Sequence, residues 1–209
     1  MLNANPSGDL TDMSDILYRY GSTYYINMTN RCPCKCVFCV RNSTDSLGDA
    51  ECLWLDREPT PEEVLEEISR VDLSKSREIV FCGYGEPTER FDDMLEVARG
   101  IKARYSIDIR LDTNGLGCLI NKRDIVPDMV GLIDAVSISL NASDPDEYLE
   151  VTRSEFGEGS YEAVLDFIRA CRESLRGVTV SVVGGSISSE SEEKCARIAD
   201  SLNVAFRVR

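Results

Sequence analysis

Apolar and polar positions along the chain follow two alternating patterns. Six short runs rich in β-branched and aromatic residues are typical of strands, and they cover Thr23–Asn30, Glu78–Cys82, Ile107–Leu111, Ala135–Leu140, Val178–Val183 and Val204–Val208. Between these runs, apolar residues recur at helical spacing, at residues 60–71, Phe91–Tyr105, Arg123–Val130, Pro145–Thr152, Tyr161–Leu175 and 195–202. The helix at residue 60 begins with a predicted capping box formed by Thr60 and Glu63.

Strands that alternate with helices predict right-handed βαβ units and a parallel sheet. Six such strands suit either an open doubly wound sheet or a partial barrel. Polar and glycine-rich segments follow the strands, at 30–41, 83–88, 112–115, 141–144 and 184–186. Because the carboxyl ends of parallel strands meet at one edge, these loops should converge there. We expect one domain over residues 23–209, preceded by an N-terminal extension over residues 1–22.

The composition narrows the chemistry that this chain can perform. Its 209 residues include nine cysteines and no histidine, which excludes catalytic triads and dyads that need imidazole, and all histidine-ligated metal sites. Asp and Glu total 37 against 23 Lys and Arg, a net charge of -14, which disfavours non-specific nucleic-acid binding. The first residues lack the basic and apolar segments of a signal peptide, and no run is long enough for a membrane span. We therefore expect a cytoplasmic protein without membrane contact.

Four cysteines are concentrated in one loop, at positions 32, 34, 36 and 39. Cys36 and Cys39 alone could form a redox dithiol, but that motif normally lacks two flanking cysteines. A zinc site needs a fourth ligand and usually a second CxxC pair, and the sequence has none. An iron–sulfur cluster with three protein ligands fits the spacing Cys32-x3-Cys36-x2-Cys39, and it leaves one iron open for another ligand.

The same loop resembles the CxxxCxxC loop of the radical S-adenosylmethionine (SAM) superfamily, with Phe38 just before the last cysteine. Tyr84-Gly85-Glu86-Pro87 resembles the GGEP motif of that superfamily, with Tyr84 in place of the first glycine. Asp112-Thr113-Asn114-Gly115 resembles the DTNG of the glycyl-radical activating enzymes, and Ser137–Asn141 occupies the fourth family strand. Within the superfamily, the loop sequences look closest to the TatD-linked (TatD-nuclease-associated) proteins.

This resemblance implies a partial (β/α)6 barrel of parallel strands, the radical SAM core. It implies that Cys32, Cys36 and Cys39 bind a [4Fe-4S] cluster and serve as the catalytic cysteines, with Cys34 left as a non-ligand. It assigns contacts with SAM to Phe38, Gly85, Glu86, Pro87, Asp112, Asn114, Ser139 and Asn141. Glu86 would accept from the SAM amino group, while Asn114 and Ser139 would suit the ribose hydroxyls and the carboxylate. Ser139 and Asn141 stand where activating enzymes have an acid and a lysine, which weakens kinship with them.

The function implied by the resemblance is reductive cleavage of SAM to a 5'-deoxyadenosyl radical, which abstracts hydrogen from a substrate. The substrate could be a small molecule, a nucleoside or a partner protein. Two alternatives remain: a glycyl-radical-enzyme activating protein, and a non-catalytic Fe–S binding module. A one-electron reductant such as ferredoxin or flavodoxin is implied, and a second protomer, a partner or the substrate should cover the open side of the barrel.

Overall fold

The computed structural model describes residues 15–209, so most of the predicted extension, residues 1–14, lies outside the described residues. Seven strands form one sheet in the order of the sequence. They are β1 Leu17–Tyr20, β2 Thr23–Ile26, β3 Glu78–Phe81, β4 Asp108–Thr113, β5 Ala135–Ser139, β6 Gly177–Val182 and β7 Ala205–Val208. Strands β2 to β7 pair in parallel, as predicted, and β7 does not pair with β1, so the barrel is open.

Strand β1 is an addition that the sequence reasoning missed, and it lies in the predicted extension. It pairs antiparallel with β2, with Leu17 opposite Ile26 and Tyr20 opposite Thr23. The two-residue connection is Gly21-Ser22, and Gly21 adopts a φ of 64°, which glycine tolerates without steric cost. A Gly-Ser pair between two aromatic-rich runs is a hairpin signal, and it was available in the sequence.

The helices follow the predicted pattern with adjusted limits. They are α1 Pro61–Ser69, α2 Phe91–Arg104, α3 Gly117–Asn121, α4 Val126–Met129, α5 Pro145–Thr152, α6 Ser160–Ser174 and α7 Ser189–Ser201. The capping box at Thr60 and Glu63 is confirmed, with both of its hydrogen bonds formed. The helix predicted over 123–130 is wrong in its first turn: it is reduced to α4, and the Asp124 carboxylate just before it accepts from the Val126 amide at 3.0 Å. The short helix α3 was not predicted.

The two faces of the sheet differ in character because strand residues alternate between them. One face carries apolar residues such as Phe81, Leu111 and Ile138, which pack in a single core with the helices. We call the opposite face the inner face. Its side chains are mostly polar, and by strand alternation and register they include Tyr25, Arg110, Asp112, Ser137, Ser139, Thr179, Ser181 and Arg207.

Ion pairs join the amino ends of the strands. Asp134, just before β5, accepts hydrogen bonds from Lys102 Nζ at 2.5 Å and from the Ile109 amide at 2.7 Å. Its second oxygen accepts from Arg176 at 2.6 Å. This carboxylate therefore links α2, β4 and the residue preceding β6, far from the carboxyl ends of the strands. None of the helices described between residues 15 and 209 has the length and apolar character needed to cross a membrane.

Candidate active site

The cysteine loop is held in place by the end of α5. The amides of Lys35 and Val37 donate to the carbonyls of Thr152 and Val151, both at 2.9 Å. These bonds satisfy carbonyls that the end of a helix leaves without intrahelical donors. Helix α5 follows the loop after β5, so these hydrogen bonds join the loop after β2 to the segment after β5. The loop is thus fixed by backbone contacts that do not depend on its cysteines.

Three cysteines of this loop, Cys32, Cys36 and Cys39, are half-buried, whereas Cys34 is 2% exposed and belongs to the core. A hydrogen bond from Cys34 lowers the pKa of the Cys32 thiol and that of the Cys36 thiol. The same two contacts, with burial, raise the pKa of Cys34. Burial raises the pKa of Cys39, and the neighbouring Cys36 and Cys32 contribute to the increase. The four thiols of this loop therefore lie close together, and the buried Cys34 contacts two of the half-buried ones.

The three half-buried thiols supply the type of donor that an iron–sulfur cluster uses. Within residues 15–209, no three or more Cys, Asp or Glu side chains are grouped around the position of a single ion. In a cluster, each thiolate binds a different iron. Cys36 and Cys39 also line an open cleft of about 450 Å³. The donor set and its placement are compatible with a cluster held by three thiolates.

Glu86 joins the loop after β3 to the loop after β4. Its carboxylate is 3% exposed and accepts from the Thr88 amide at 3.1 Å, the Thr88 hydroxyl at 2.8 Å and the Thr113 hydroxyl at 2.7 Å. The other oxygen accepts from the Asn114 amide at 2.7 Å. Burial raises the pKa of Glu86, and these four donors oppose the increase. Three of the four known acceptor contacts fall on Oε1, so Oε2 keeps a free lone pair for a further donor.

Gly85 lies against the backbone just before the cysteine loop, where there is no room for a side chain. A Cβ at this position would lie 2.2 Å from the Thr29 carbonyl oxygen and 2.6 Å from that of Arg31. The Glu86 amide donates to the same Arg31 oxygen at 2.8 Å. The close approach that the glycine permits is therefore between two protein loops. Pro87, the next predicted site residue, is buried and begins a short 3₁₀ helix.

Tyr84, the departure from the family motif, anchors a long loop. Its ring packs edge-on against Trp54 at 5.1 Å between centroids, and its hydroxyl donates to the Thr44 carbonyl. It belongs to a small cluster with Tyr18 and Leu53 that is separate from the main core. The tyrosine thus ties the segment of residues 43–56 to the motif loop.

Asn114 and Asp112 are engaged by the protein in ways the sequence did not predict. The Asn114 side-chain amide points at Cys32 Sγ, with an N···S distance of 3.9 Å, and its oxygen accepts from the Leu116 amide at 2.8 Å. Asp112 pairs with Arg110 on its own strand; burial raises the pKa of Asp112, and Arg110 opposes that increase. These two residues therefore lie at the predicted edge, one beside a cysteine and the other beside an arginine.

Buried polar atoms without partners lie on the neighbouring strands. Asn141 Oδ1, in a residue 3% exposed, has no hydrogen-bond partner, and the same holds for Ser137 Oγ and Ser181 Oγ. Asn141 also has a φ of 63°, which costs a non-glycine residue energy. Buried polar atoms normally have a partner, so these atoms suit a polar ligand such as SAM. Ser139, the other predicted residue here, accepts from Arg209 at 2.8 Å.

Phe38 is half-buried and packs against the main core from within the cysteine loop. The structure thus brings the predicted residues of the first three loops together: Glu86 contacts the loop of Asn114, and Asn114 contacts Cys32. Thr88 is a further member of this group that the sequence reasoning missed. Its position two residues after Glu86, at the start of a 3₁₀ turn, is a signal that its amide and hydroxyl can reach back to the carboxylate.

Comparison with known families now adds to this geometry. The family model of the radical SAM superfamily matches residues 26–199. The chain belongs to the radical SAM superfamily. Members of this superfamily use a [4Fe-4S] cluster and S-adenosylmethionine, so this chain is a radical SAM enzyme. The predicted fold class, enzyme class and cofactors are confirmed.

Several individual proteins are similar to most of this chain. It is 30% identical over 177 residues to the probable GTP 3',8-cyclase of Methanocaldococcus jannaschii, covering 84% of this chain and 54% of that protein. It is 26% identical over 194 residues to the GTP 3',8-cyclase of Bradyrhizobium diazoefficiens, covering 91% and 52%. The chain thus spans about half the length of these curated relatives. A radical SAM methyltransferase from Sphaerobacter thermophilus shares the fold, with a TM-score of 0.60 at 20% identity over 92% of this chain and 57% of that one.

Proposed function

We propose that this protein cleaves SAM reductively at a [4Fe-4S] cluster held by Cys32, Cys36 and Cys39, and that the resulting radical abstracts hydrogen from a small-molecule substrate. The observation that carries the proposal is the junction of three loops, where half-buried cysteines lie beside the buried Glu86 and the Asn114 side chain. When bound, the cluster supplies the electron and the open iron for this chemistry. The resemblance to TatD-linked radical SAM proteins is part of the proposal.

The residues of the chain would position SAM and exclude water. The free lone pair of Glu86 Oε2 is suited to the SAM amino group, because a buried carboxylate attracts a cationic donor strongly. The unpartnered Asn141 Oδ1 and the Ser139 hydroxyl are suited to the ribose hydroxyls. Asn114 would act at the cluster, since its amide points at Cys32 Sγ, and hydrogen bonds to cluster sulfurs tune the reduction potential.

A small-molecule substrate is favoured over activation of a glycyl-radical partner. The resemblance to activating enzymes rests on Asp112 and Thr113, whose side chains bind Arg110 and Glu86 within the chain. The relatives at 30% and 26% identity are named as GTP cyclases, which act on a nucleotide. Either a second protomer or the substrate itself would cover the open side of the sheet.

The electron donor would be an acidic carrier such as ferredoxin or flavodoxin. Beside the cleft at Cys36 and Cys39, the surface carries Lys35, Arg41 and Arg153, although the whole chain has a net charge of -14. Within the described residues, none of these three side chains forms an ion pair with a carboxylate. Val37 and Val40 are 48% and 40% exposed in the same region. Exposed apolar residues with a basic rim suit a transient, electrostatically steered complex.

The decisive experiment for the function is anaerobic reconstitution with iron and sulfide, followed by SAM and dithionite. We expect about four irons per chain and formation of 5'-deoxyadenosine, both lost in Cys36→Ala and Cys39→Ala. Cys52→Ala is the matched control, because Cys52 is half-buried in a loop outside the site. Iron without 5'-deoxyadenosine would favour a non-catalytic Fe–S module, and zinc alone would overturn both cluster readings.

The donor surface is tested by reversing its charge. In the double variant Lys35→Glu and Arg153→Glu, the ratio of flavodoxin-driven to dithionite-driven 5'-deoxyadenosine formation should fall at least about tenfold at low salt, because steering is lost. Lys75→Glu with Arg172→Glu makes the same charge change at exposed positions elsewhere. An equal loss in both double variants would show that only net charge matters, against a specific docking surface.

A further inference from the structure

A second cavity lies on the inner face, away from the cysteine loop. It measures about 430 Å³ and is lined by residues of β1, β2, β4 and β7 and by three residues outside the strands: Tyr18, Tyr20, Tyr25, Leu47, Cys82, Asp112, Arg207 and Arg209. None of the residues assigned to the cluster lines it. Only Asp112 is shared with the predicted SAM contacts, so the cavity borders that site without coinciding with it.

The arginines of this cavity come from the alternation of the last strand. In the run Ala205–Arg209, Arg207 and Arg209 share one face while Phe206 and Val208 take the other. Arg207 pairs in register with Ser181 on the inner face, and Arg209 donates to Ser139 on the same face at 2.8 Å. The alternation of arginine with apolar residues in this short run therefore predicts that both arginines lie on the same face of the sheet.

Within the part of the chain that the structure describes, Asp112 attracts both arginines without contacting either of them. No carboxylate there forms an ion pair with Arg207 or Arg209. Asp112, the one acidic residue lining the cavity, is already paired with Arg110. The cavity wall therefore carries unbalanced positive charge in a strongly acidic chain. Guanidinium groups bind planar carboxylates and phosphates through paired N–H donors.

Two further polar side chains lie on β5 and β6, the strands between β4 and β7. Ser137 and Ser181 are 3% and 0% exposed and their hydroxyls have no partner. Both fall on the inner face, since Ser137 pairs with Asp112 and Ser181 with Arg207. Buried hydroxyls that lack partners indicate a ligand or ordered water on that face.

The cavity lining also includes three aromatic side chains. The rings of Tyr18 and Tyr25 stack with their centroids 5.3 Å apart, and Tyr20 is 58% exposed. Aromatic side chains provide apolar surface for a flat ring of a ligand. Together with the arginines, they define a site for a molecule with an unsaturated ring and an anionic group.

We infer that this cavity is the substrate site, and that Arg207 and Arg209 bind a phosphate or carboxylate of a ring-containing substrate. The inference rests on the proposed function, because it assigns the substrate of that same reaction. Arg209 would also align this substrate with SAM, since it contacts Ser139, which is among the predicted SAM residues. A phosphate and a carboxylate offer the same chemistry to a guanidinium pair, and the experiment separates them.

The test uses calorimetric titration of the reconstituted full chain with three probes that share a phenyl ring: phenyl phosphate, benzoate and the neutral benzyl alcohol. We expect one of the anions to bind and benzyl alcohol to bind at least about tenfold more weakly. In Arg207→Gln and Arg209→Gln, affinity for that anion should fall at least about tenfold, the loss expected when a charge-assisted hydrogen bond is removed. The preferred anion identifies the substrate group as phosphate or carboxylate.

Arg172→Gln is the matched control, because Arg172 is exposed in the last turn of α6. Equal binding of all three probes, binding of none, or equal losses in Arg172→Gln and Arg207→Gln would overturn the inference. If Arg207→Gln weakened SAM as much as the anion probe, the arginines would belong to the SAM carboxylate, and the inference would also fall. SAM cleavage with dithionite is measured separately, so the proposed function can stand when this inference does not.

Discussion

Replacing Glu86 tests whether one carboxylate holds two loops of the site together. Its four donors come from Thr88, Thr113 and Asn114, at 2.7 to 3.1 Å, and the group is 3% exposed. In Glu86→Gln, the least costly orientation keeps the amide oxygen towards Thr88 and Thr113. The amide nitrogen then faces the Asn114 amide, so one hydrogen bond is lost and two donors oppose each other.

The magnitude follows from what each donor loses. An unsatisfied buried donor costs about 1–3 kcal/mol, while the neutral amide is relieved of the charge-burial penalty that raises the pKa of Glu86. We therefore expect Glu86→Gln to lower the free energy of unfolding by about 2 kcal/mol. Glu86→Ala leaves four donors without an acceptor and should cost about 3–5 kcal/mol.

The assay is urea denaturation of the full chain at pH 7 under anaerobic, reducing conditions. With a slope of about 2 kcal/mol per molar urea, the transition midpoint should shift by about 1 M for Glu86→Gln and by about 2 M for Glu86→Ala. Glu96→Gln, on an exposed position of α2, should change stability by less than about 0.5 kcal/mol. Equal midpoints for Glu86→Ala and Glu96→Gln would refute the idea that Glu86 ties the loops.

Three further predictions concern the same fold. Gly85→Ala should destabilise the protein by about 1–3 kcal/mol, because its methyl would lie 2.2 Å from the Thr29 carbonyl oxygen; a denaturation midpoint equal to that of the wild type would contradict this. Asp134 has a lowered pKa: burial alone would raise it, but bonds from Lys102 and others outweigh burial. Its stabilisation is present above the ordinary value of about 3.9 and lost as the pH falls through the lower folded value, so Asp134→Asn should cost stability at pH 7 and progressively less as the pH is lowered below about 3.9, measured by pH-dependent denaturation. Cys34→Ser should retain about four irons by colorimetric iron analysis, since Cys34 is buried in the core, whereas the three candidate ligands are half-buried; loss of iron comparable to Cys36→Ala would make it a ligand.

Much of the fold could be predicted because it is encoded locally. Thr60 and Glu63 specify the start of α1 within four residues, and α5 was predicted with its observed limits, Pro145–Thr152. Helix α3, Gly117–Asn121, escaped prediction because it is five residues long and begins with a glycine, which has a low intrinsic helix propensity. The limits of five strands shifted by one or two residues, and the first run, predicted to reach Asn30, ends four residues earlier at Ile26, because pairing with neighbours decides where a strand ends.

The candidate site was predictable in its residues but not in their contacts. The motifs predicted that Glu86 and Asn114 would meet at one edge of the sheet, and they do. That the carboxylate is largely occupied by Thr88 and Thr113 depends on how three loops approach each other, which no single motif encodes. The steric demand on Gly85 comes from Thr29, more than fifty residues earlier in the chain, and is likewise a property of tertiary packing.

The distance of Asp134 from the loops at the other end of the sheet affects which amino-acid substitutions this chain can accept during evolution. Asp134, Lys102 and Arg176 join the amino ends of the strands by contacts that include no predicted site residue. Substitutions of Arg207 in β7 or of Ser139 at the end of β5 therefore leave this network intact. The substrate-binding residues at one end of the sheet can therefore be substituted while the stabilising contacts at the other end are kept. This makes the chain a good starting point for directed evolution towards new substrates.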